Sequence, residues 1–225
     1  MSAERGASVG AEQGDSVRVC LDGTWLEVGA GETILAAAAK AVREIPTLCF
    51  DQRLAPFGAC RLCLVGVQGA GAPLPACTTR CSDGMVVDTT DERARRVVTT
   101  VLELVLSELP GDPLPGSELD VLAQRLGVAR SRFAGRTHER RHDERHPYLL
   151  MESELCISCG RCVRICDELQ GAFALTATGR GFDASIAAGL DSGFANSSCV
   201  SCGACAHTCP TGAIRERLDI PDSIC

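Results

Sequence analysis

CISCGRCVRIC at residues 156–166 and CVSCGACAHTC at residues 199–209 are near-copies of one another. Each reads CxxCxxCxxxC, which puts thiols at Cys156, Cys159, Cys162 and Cys166 in the first copy and at Cys199, Cys202, Cys205 and Cys209 in the second. Three thiols so closely spaced lie on one tight loop and can grip three corners of a polynuclear core, while a fourth must arrive from another direction. A glycine follows the second cysteine of each copy, Gly160 and Gly203, where the missing Cβ lets backbone approach the core. Zinc would ask for four ligands in paired CxxC units. Structural disulfides belong to oxidising compartments, and MSAERGASVGAEQGDS at residues 1–16 lacks the apolar run of a signal peptide. A cytoplasmic location is expected.

The spacing is that of bacterial two-cluster ferredoxins, in which each 4Fe-4S cube takes three thiolates from one motif and its fourth from the other. That similarity implies a first cube on Cys156, Cys159, Cys162 and Cys209, and a second on Cys199, Cys202, Cys205 and Cys166. Pro210 completes the second motif, whereas Asp167 stands at the matching place in the first.

A further set is Cys49, Cys60, Cys63 and Cys77, with ten, two and thirteen residues between successive members. The first gap is too long for the plant-type CxxxxCxxC arrangement, so the surroundings decide its reading. Val17, Val19 and Leu21 alternate as in a half-buried strand, Asp22-Gly23 makes a hairpin turn, and Trp25 to Val28 supplies a second strand. A helix is expected next, with Ile34, Leu35, Ala38 and Val42 on one face and Pro46 stopping it before Cys49. The runs LVGV at 64–67 and MVVDT at 85–89 add strands to a small sheet crossed by one helix.

DGTWLEVGAGETILAAAAKAVREIPTLCF at 22–50, GACRLCLVGV at 58–67 and LPACTTRCSDGMVV at 74–87 carry a resemblance. They resemble the β-grasp 2Fe-2S domain that opens three kinds of protein: the complex I iron-sulfur (G-type) subunit, the small diaphorase subunit of NAD-linked hydrogenases, and the large subunit of some NAD-linked formate dehydrogenases. The resemblance implies 2Fe-2S ligands at Cys49, Cys60, Cys63 and Cys77. It continues through CISCGRCVRIC, GRGF at 179–182 and SCVSCGACAHTCPTGAI at 198–214, covering most of the chain. The implied fold is α+β. It comprises a disordered N-terminus (1–15), a 2Fe-2S β-grasp domain (16–90), a helical linker (91–147), a two-cluster 4Fe-4S ferredoxin domain (148–215) and a tail (216–225).

One departure is informative. In the resembled families the β-grasp domain is followed by a module holding another 4Fe-4S cluster on one histidine and three cysteines. Here SELPGDPLPGSELDVLAQRLGV occupies residues 107–128, with Leu109 where the histidine is expected and Ser117 where the last cysteine is expected. No cysteine lies between Cys81 and Cys156. Leucine offers no lone pair and serine is a hard, weakly acidic donor, so the linker is read as a vestige of that histidine-and-cysteine module, one that keeps its helices and lacks its cluster. Asp91 to Leu109 is expected to form an amphipathic helix with Val97, Val98, Val101, Leu102, Leu104, Val105 and Leu109 on its apolar side, ended by Pro110. Ser117 is a candidate N-cap for a second helix reaching Leu126.

Residues 125–146 hold seven arginines against three acids, together with three of the four histidines. This strip reads as a solvated connector, or as a docking strip that charge reversal at Arg140 and Arg141 would test. Cys20 is expected as a small buried side chain in the first strand. Cys81, four positions past Cys77, is an alternative to it as ligand. Cys225 ends the chain. His207 reads as a surface histidine, and Arg161 and Arg164 flank the first cube with positive charge.

Aromatic residues make up only 4% of the chain, so neither small domain can bury a large aromatic core and cluster binding has to supply much of the folding free energy. The formal net charge is −7. Twelve ligating thiolates and three oxidised cores of +2 each would take it to about −13, which disfavours nucleic acid as a partner. No apolar stretch approaches the ~20 residues of a membrane span. Neither a GxGxxG entering a helix nor a GxxxxGK[ST] phosphate loop is present.

A chain that holds redox centres and no substrate machinery is expected to be a non-catalytic electron-transfer subunit. The resemblance implies a flavin/NAD-binding diaphorase subunit on one side and, on the other, a hydrogenase or a molybdenum/tungsten formate dehydrogenase catalytic subunit. A complex I-like NADH dehydrogenase subunit and a free polyferredoxin shuttle are the alternatives.

Overall fold

The computed structural model describes residues 16–138, 142–189 and 192–217. The expectations for residues 1–15, for Cys225 and for charge reversal at Arg140 and Arg141 lie outside the described residues. The fold is α+β. Strands β1 (Ser16–Leu21) and β2 (Thr24–Gly29) pair antiparallel across a turn in which Asp22 (φ 50°) and Gly23 (φ 82°) are both left-handed, the geometry that two-residue hairpins favour. With β3 (Leu64–Val67), β4 (Leu74–Pro75) and β5 (Met85–Asp88) they form one sheet in the order β2-β1-β5-β3-β4. The central strand β5 runs parallel to its neighbour β1, with Val19 opposite Met85 and Leu21 opposite Val87.

Helix α1 (Ile34–Lys40) packs on this sheet. Thr33 caps it by accepting a hydrogen bond from the Ala36 backbone N–H at 3.2 Å. Its buried face is Ile34, Ala37 and Ala38, set against Val19, Leu21, Val28 and Val87. The helix is shorter than its apolar pattern predicts. Ala41 caps it, Val42 turns left-handed (φ 56°) and stands 88% exposed, and the chain has left the helix before Pro46. Backbone reversal at a β-branched residue, unmarked by glycine or proline, ends this helix.

Helices α2 (Glu92–Ser107) and α3 (Glu118–Arg125) form the linker, each started by a side-chain cap, Asp91 to the Ala94 N–H and Ser117 to the Asp120 N–H. Their shared core is Val98, Leu102, Leu109, Leu119 and Leu122, joined by Leu48 and Leu62 from the first unit. The buried stripe of α2 is narrower than predicted, since Val97 and Leu104 are 41% and 48% exposed. The last unit carries a three-stranded sheet, β10-β7-β6, made of β6 (His142–Asp143), β7 (Leu149–Glu152) and β10 (Ile214–Glu216). Beside it lies the hairpin of β8 (Leu175–Thr178) and β9 (Ser185–Ala188). Two short helices, α4 (Arg161–Arg164) and α5 (Ala204–Thr208), run out of the two cysteine loops.

Leu102 is wholly buried in the linker core. Leu102→Ala should therefore destabilise the chain by about 2–5 kcal/mol through lost burial and a residual cavity, read as a lowered midpoint in anaerobic denaturant unfolding.

Candidate metal centres

Each cysteine loop bends twice through the left-handed region at matching positions: Ser158 (φ 51°) and Gly160 (φ 76°) in the first copy, Ser201 (φ 57°) and Gly203 (φ 72°) in the second. This curl brings three thiols of one copy to a common side, and it accounts for both glycines, because a side chain is strained at such φ. It also turns backbone donors onto sulfur. Ser158 N–H points at Cys156 Sγ and Ser201 N–H at Cys199 Sγ, both at 3.4 Å. The outlying cysteines are treated alike, Cys166 Sγ receiving the Ala174 N–H at 3.3 Å and Cys209 Sγ the Ile214 N–H at 3.5 Å. Such donors stabilise negative charge on sulfur.

Two cavities result. The first is lined by Cys156, Cys159, Cys162 and, from the other copy, Cys209. The second is lined by Cys199, Cys202, Cys205 and, from the first copy, Cys166. In both, the sulfurs surround a space walled by apolar groups, Ile157, Ile186 and Ile214 in one and Leu149, Leu175 and Phe194 in the other. Burial pushes the Cys159 and Cys205 thiols up to about 12 and raises Cys162 well above the ordinary thiol range. A buried thiol without a cation stays protonated, so loading metal at these positions releases protons and couples binding to pH.

The β-grasp thiols gather in two pairs. Cys60 N–H donates to Cys49 Sγ at 3.3 Å; the Cys49 thiol in turn pulls Cys60 down to about 5, and Cys63 lowers Cys77 in the same way. The pairing raises the Cys49 and Cys63 thiols as it lowers their partners, and both Cys63 and Cys77 sense Cys60 electrostatically, so the four form one group. Cys81, also buried, has Glu32 and Lys40 as its charged surroundings. Cys20 is buried in β1, opposite Trp25.

Between the first cavity and this group lies a buried polar junction. Arg161, next to Cys162 in sequence, is 6% exposed. Its guanidinium donates to Glu118 at 2.7 and 2.9 Å, to Thr208 Oγ1 at 3.0 Å and to the Leu48 carbonyl at 3.4 Å. Thr208 donates to Asp51 at 2.7 Å, and Asp51 also accepts from Arg53. Hydrogen bonds from Arg53 hold the Asp51 carboxyl far below the usual carboxylate range. Arg164, 20% exposed, donates to the Ala55 carbonyl at 2.9 Å and lies over the Phe57 ring. His207 is surface-exposed and faces Glu216 at 3.3 Å. His146, in contrast, departs from the solvated-strip reading. It is 4% exposed and reaches the second cavity, its Nε2 3.7 Å from Cys199 Sγ. Burial pushes its pKa down.

Residues 14–92 match the model of a 2Fe-2S iron-sulfur cluster binding domain, and residues 155–213 that of a 4Fe-4S dicluster domain. A chain in the crystal structure of an NAD+-reducing [NiFe]-hydrogenase in the H2-reduced state superposes with a TM-score of 0.82 at 30% identity, over 92% of this chain and 90% of that one. The chain belongs to the family of iron-sulfur subunits of NAD-linked oxidoreductases. Proteins of similar sequence include an NADH-quinone oxidoreductase subunit of Rhizobium meliloti, 38% identical over 88% of this chain, and the HndD subunit of the NADP-reducing hydrogenase of Solidesulfovibrio fructosivorans, 35% identical over 88%. The chain spans 24% and 36% of the length of these two relatives. At the two linker positions singled out by the sequence, Leu109 is buried in the α2–α3 core and Ser117 caps α3, so both are committed to packing and capping.

Replacing Arg161 by methionine strips Glu118, Thr208 and the Leu48 carbonyl of their shared donor and removes a cation 3.7 Å from the buried Asp51. Arg161→Met should cost about 3 kcal/mol, seen as an earlier anaerobic unfolding transition.

Proposed function

We propose that this chain is the electron-relay subunit of a multi-subunit NAD-linked oxidoreductase of the hydrogenase or formate dehydrogenase type. It would pass electrons between a flavin/NAD subunit and a catalytic subunit. The observation that carries the reading is the sorting of eight cysteines into two cavities, each with three sulfurs from one loop and the fourth from the other. That arrangement is the exchange used by two-cluster ferredoxins. On this reading Cys156, Cys159, Cys162 and Cys209 hold one 4Fe-4S cluster, Cys199, Cys202, Cys205 and Cys166 hold a second, and Cys49, Cys60, Cys63 and Cys77 hold a 2Fe-2S cluster. When bound, such clusters supply reversible one-electron chemistry.

The chain's own part is to fix and tune them. Backbone N–H groups at Ser158, Ser201, Ala174 and Ile214 donate to the sulfurs, isoleucine, leucine and phenylalanine side chains keep water away, and the Arg161 junction holds the two cysteine-bearing units in one arrangement. No helix among the described residues is long and apolar enough to cross a membrane. The 38% identity to an NADH-quinone oxidoreductase subunit favours a quinone-linked complex as the second reading.

Anaerobically purified protein should contain about ten irons, two in one cluster and four in each of the others. Dithionite reduction should develop one two-iron and two four-iron EPR signals. The exchange makes a pointed prediction: Cys166→Ala should abolish the four-iron centre built on the Cys199 loop and Cys209→Ala the one built on the Cys156 loop. Loss of the centre nearer in sequence in each case would refute the assignment, as would zinc in place of iron.

A further inference from the structure

We propose that His146 is a positioning and tuning residue for the second four-iron centre, donating its Nε2–H to the sulfur of Cys199. The inference rests on the ligand reading above and adds to it a residue outside both cysteine motifs. Two backbone groups settle which ring nitrogen carries the proton. The Tyr148 and Leu149 N–H groups both point at Nδ1, at 3.1 and 3.0 Å. Nδ1 must therefore accept, and the neutral ring carries its hydrogen on Nε2.

That hydrogen faces Ser201 Oγ at 3.2 Å and Cys199 Sγ at 3.7 Å, distances that suit one N–H shared between an oxygen and a larger sulfur. The ring is clamped as well as oriented. Phe194 meets it edge-on with centroids 5.5 Å apart, and Tyr148 does so at 6.0 Å. Phe194 is itself buried and walls the second cavity. The imidazole is thus a fixed dipole whose positive end is aimed at a cluster sulfur.

The two cysteine loops treat this position differently. Cys156, the counterpart of Cys199, receives the matching backbone N–H from Ser158, but the Ser158 hydroxyl turns away to the Ala184 carbonyl at 3.5 Å. In the second loop the matching serine hydroxyl meets an imidazole instead. An extra N–H directed at a ligating sulfur favours the reduced, more negative state of a cluster and raises its potential. His146 therefore sets the second centre apart from its near-copy.

The test is an EPR-monitored redox titration of the full chain carrying His146→Phe, which keeps an aromatic ring against Phe194 and removes the donor. The four-iron wave that Cys166→Ala abolishes should move to lower potential. Its oxidised-to-reduced ratio at fixed ambient potential should rise about tenfold, or about 59 mV for one electron, with the other four-iron wave in place. His146→Gln, whose amide can donate in place of the ring, should return part of the shift. An unmoved wave in His146→Phe, or equal shifts in both variants, overturns the proposal.

Should His146→Phe fail to load clusters, protein with native His146 in a His207→Gln background, grown on 15N-labelled histidine, gives an independent reading. Pulsed EPR of the reduced second centre should show a weak 15N coupling, and its absence overturns the role of His146. A native protein with no reducible four-iron signal at all would instead overturn the ligand assignment, so the two failures are distinguishable.

Discussion

A guanidinium that has lost nearly all its water needs acceptors for its N–H groups, and at Arg161 they come from three different parts of the chain. Glu118 comes from the linker helix α3, the Leu48 carbonyl from the β-grasp unit, and Thr208 from the second cysteine loop. Asp51 closes the circuit through Thr208. Removing any one of the three parts would leave a buried charge or donor unmet, at a cost of several kcal/mol. The units are small, poor in aromatic residues and individually weak. This junction and the α2–α3 core, to which Leu48 and Leu62 contribute, make them one body, so the distance between sulfur-lined sites belongs to the fold.

The same logic explains what the linker does. Position 109 is a leucine in the core and position 117 a serine on a helix cap. Both residues are coherent with a stabilising role, since leucine adds buried apolar area and serine satisfies an orphan N–H. The helices cover Leu48 and Leu62, the neighbours in sequence of Cys49 and Cys63.

Much of the fold and most of the candidate site were legible in the sequence, and the exceptions have physical reasons. The shape of the cysteine loops could be read because their short, repeated spacing forces three thiols of one copy onto one tight turn, and Asp22-Gly23 because its turn demands left-handed residues. The end of α1 could not, because Val42 adopts the left-handed conformation that its branched side chain disfavours. As a run of letters, the strip around His146 looks solvated, and the histidine is indistinguishable there from its basic neighbours. What buries it is Phe194 and the start of β7, a meeting of segments almost fifty residues apart. A histidine directly before a proline at the head of a strand is the faint signal available. The partners of Arg161 lie between 43 and 113 residues away, beyond any local pattern.

The two cysteine loops share one shape, yet position for position they are not equal. Where the first has Arg161, the second has Ala204. Arg164 in the first corresponds to His207 in the second, one tied to the Ala55 carbonyl and Phe57, the other lying open on the surface. A duplicated unit with identical halves would have no inside and no outside. By anchoring one half and leaving small or open side chains on the other, the chain gives its internal repeat a front and a back.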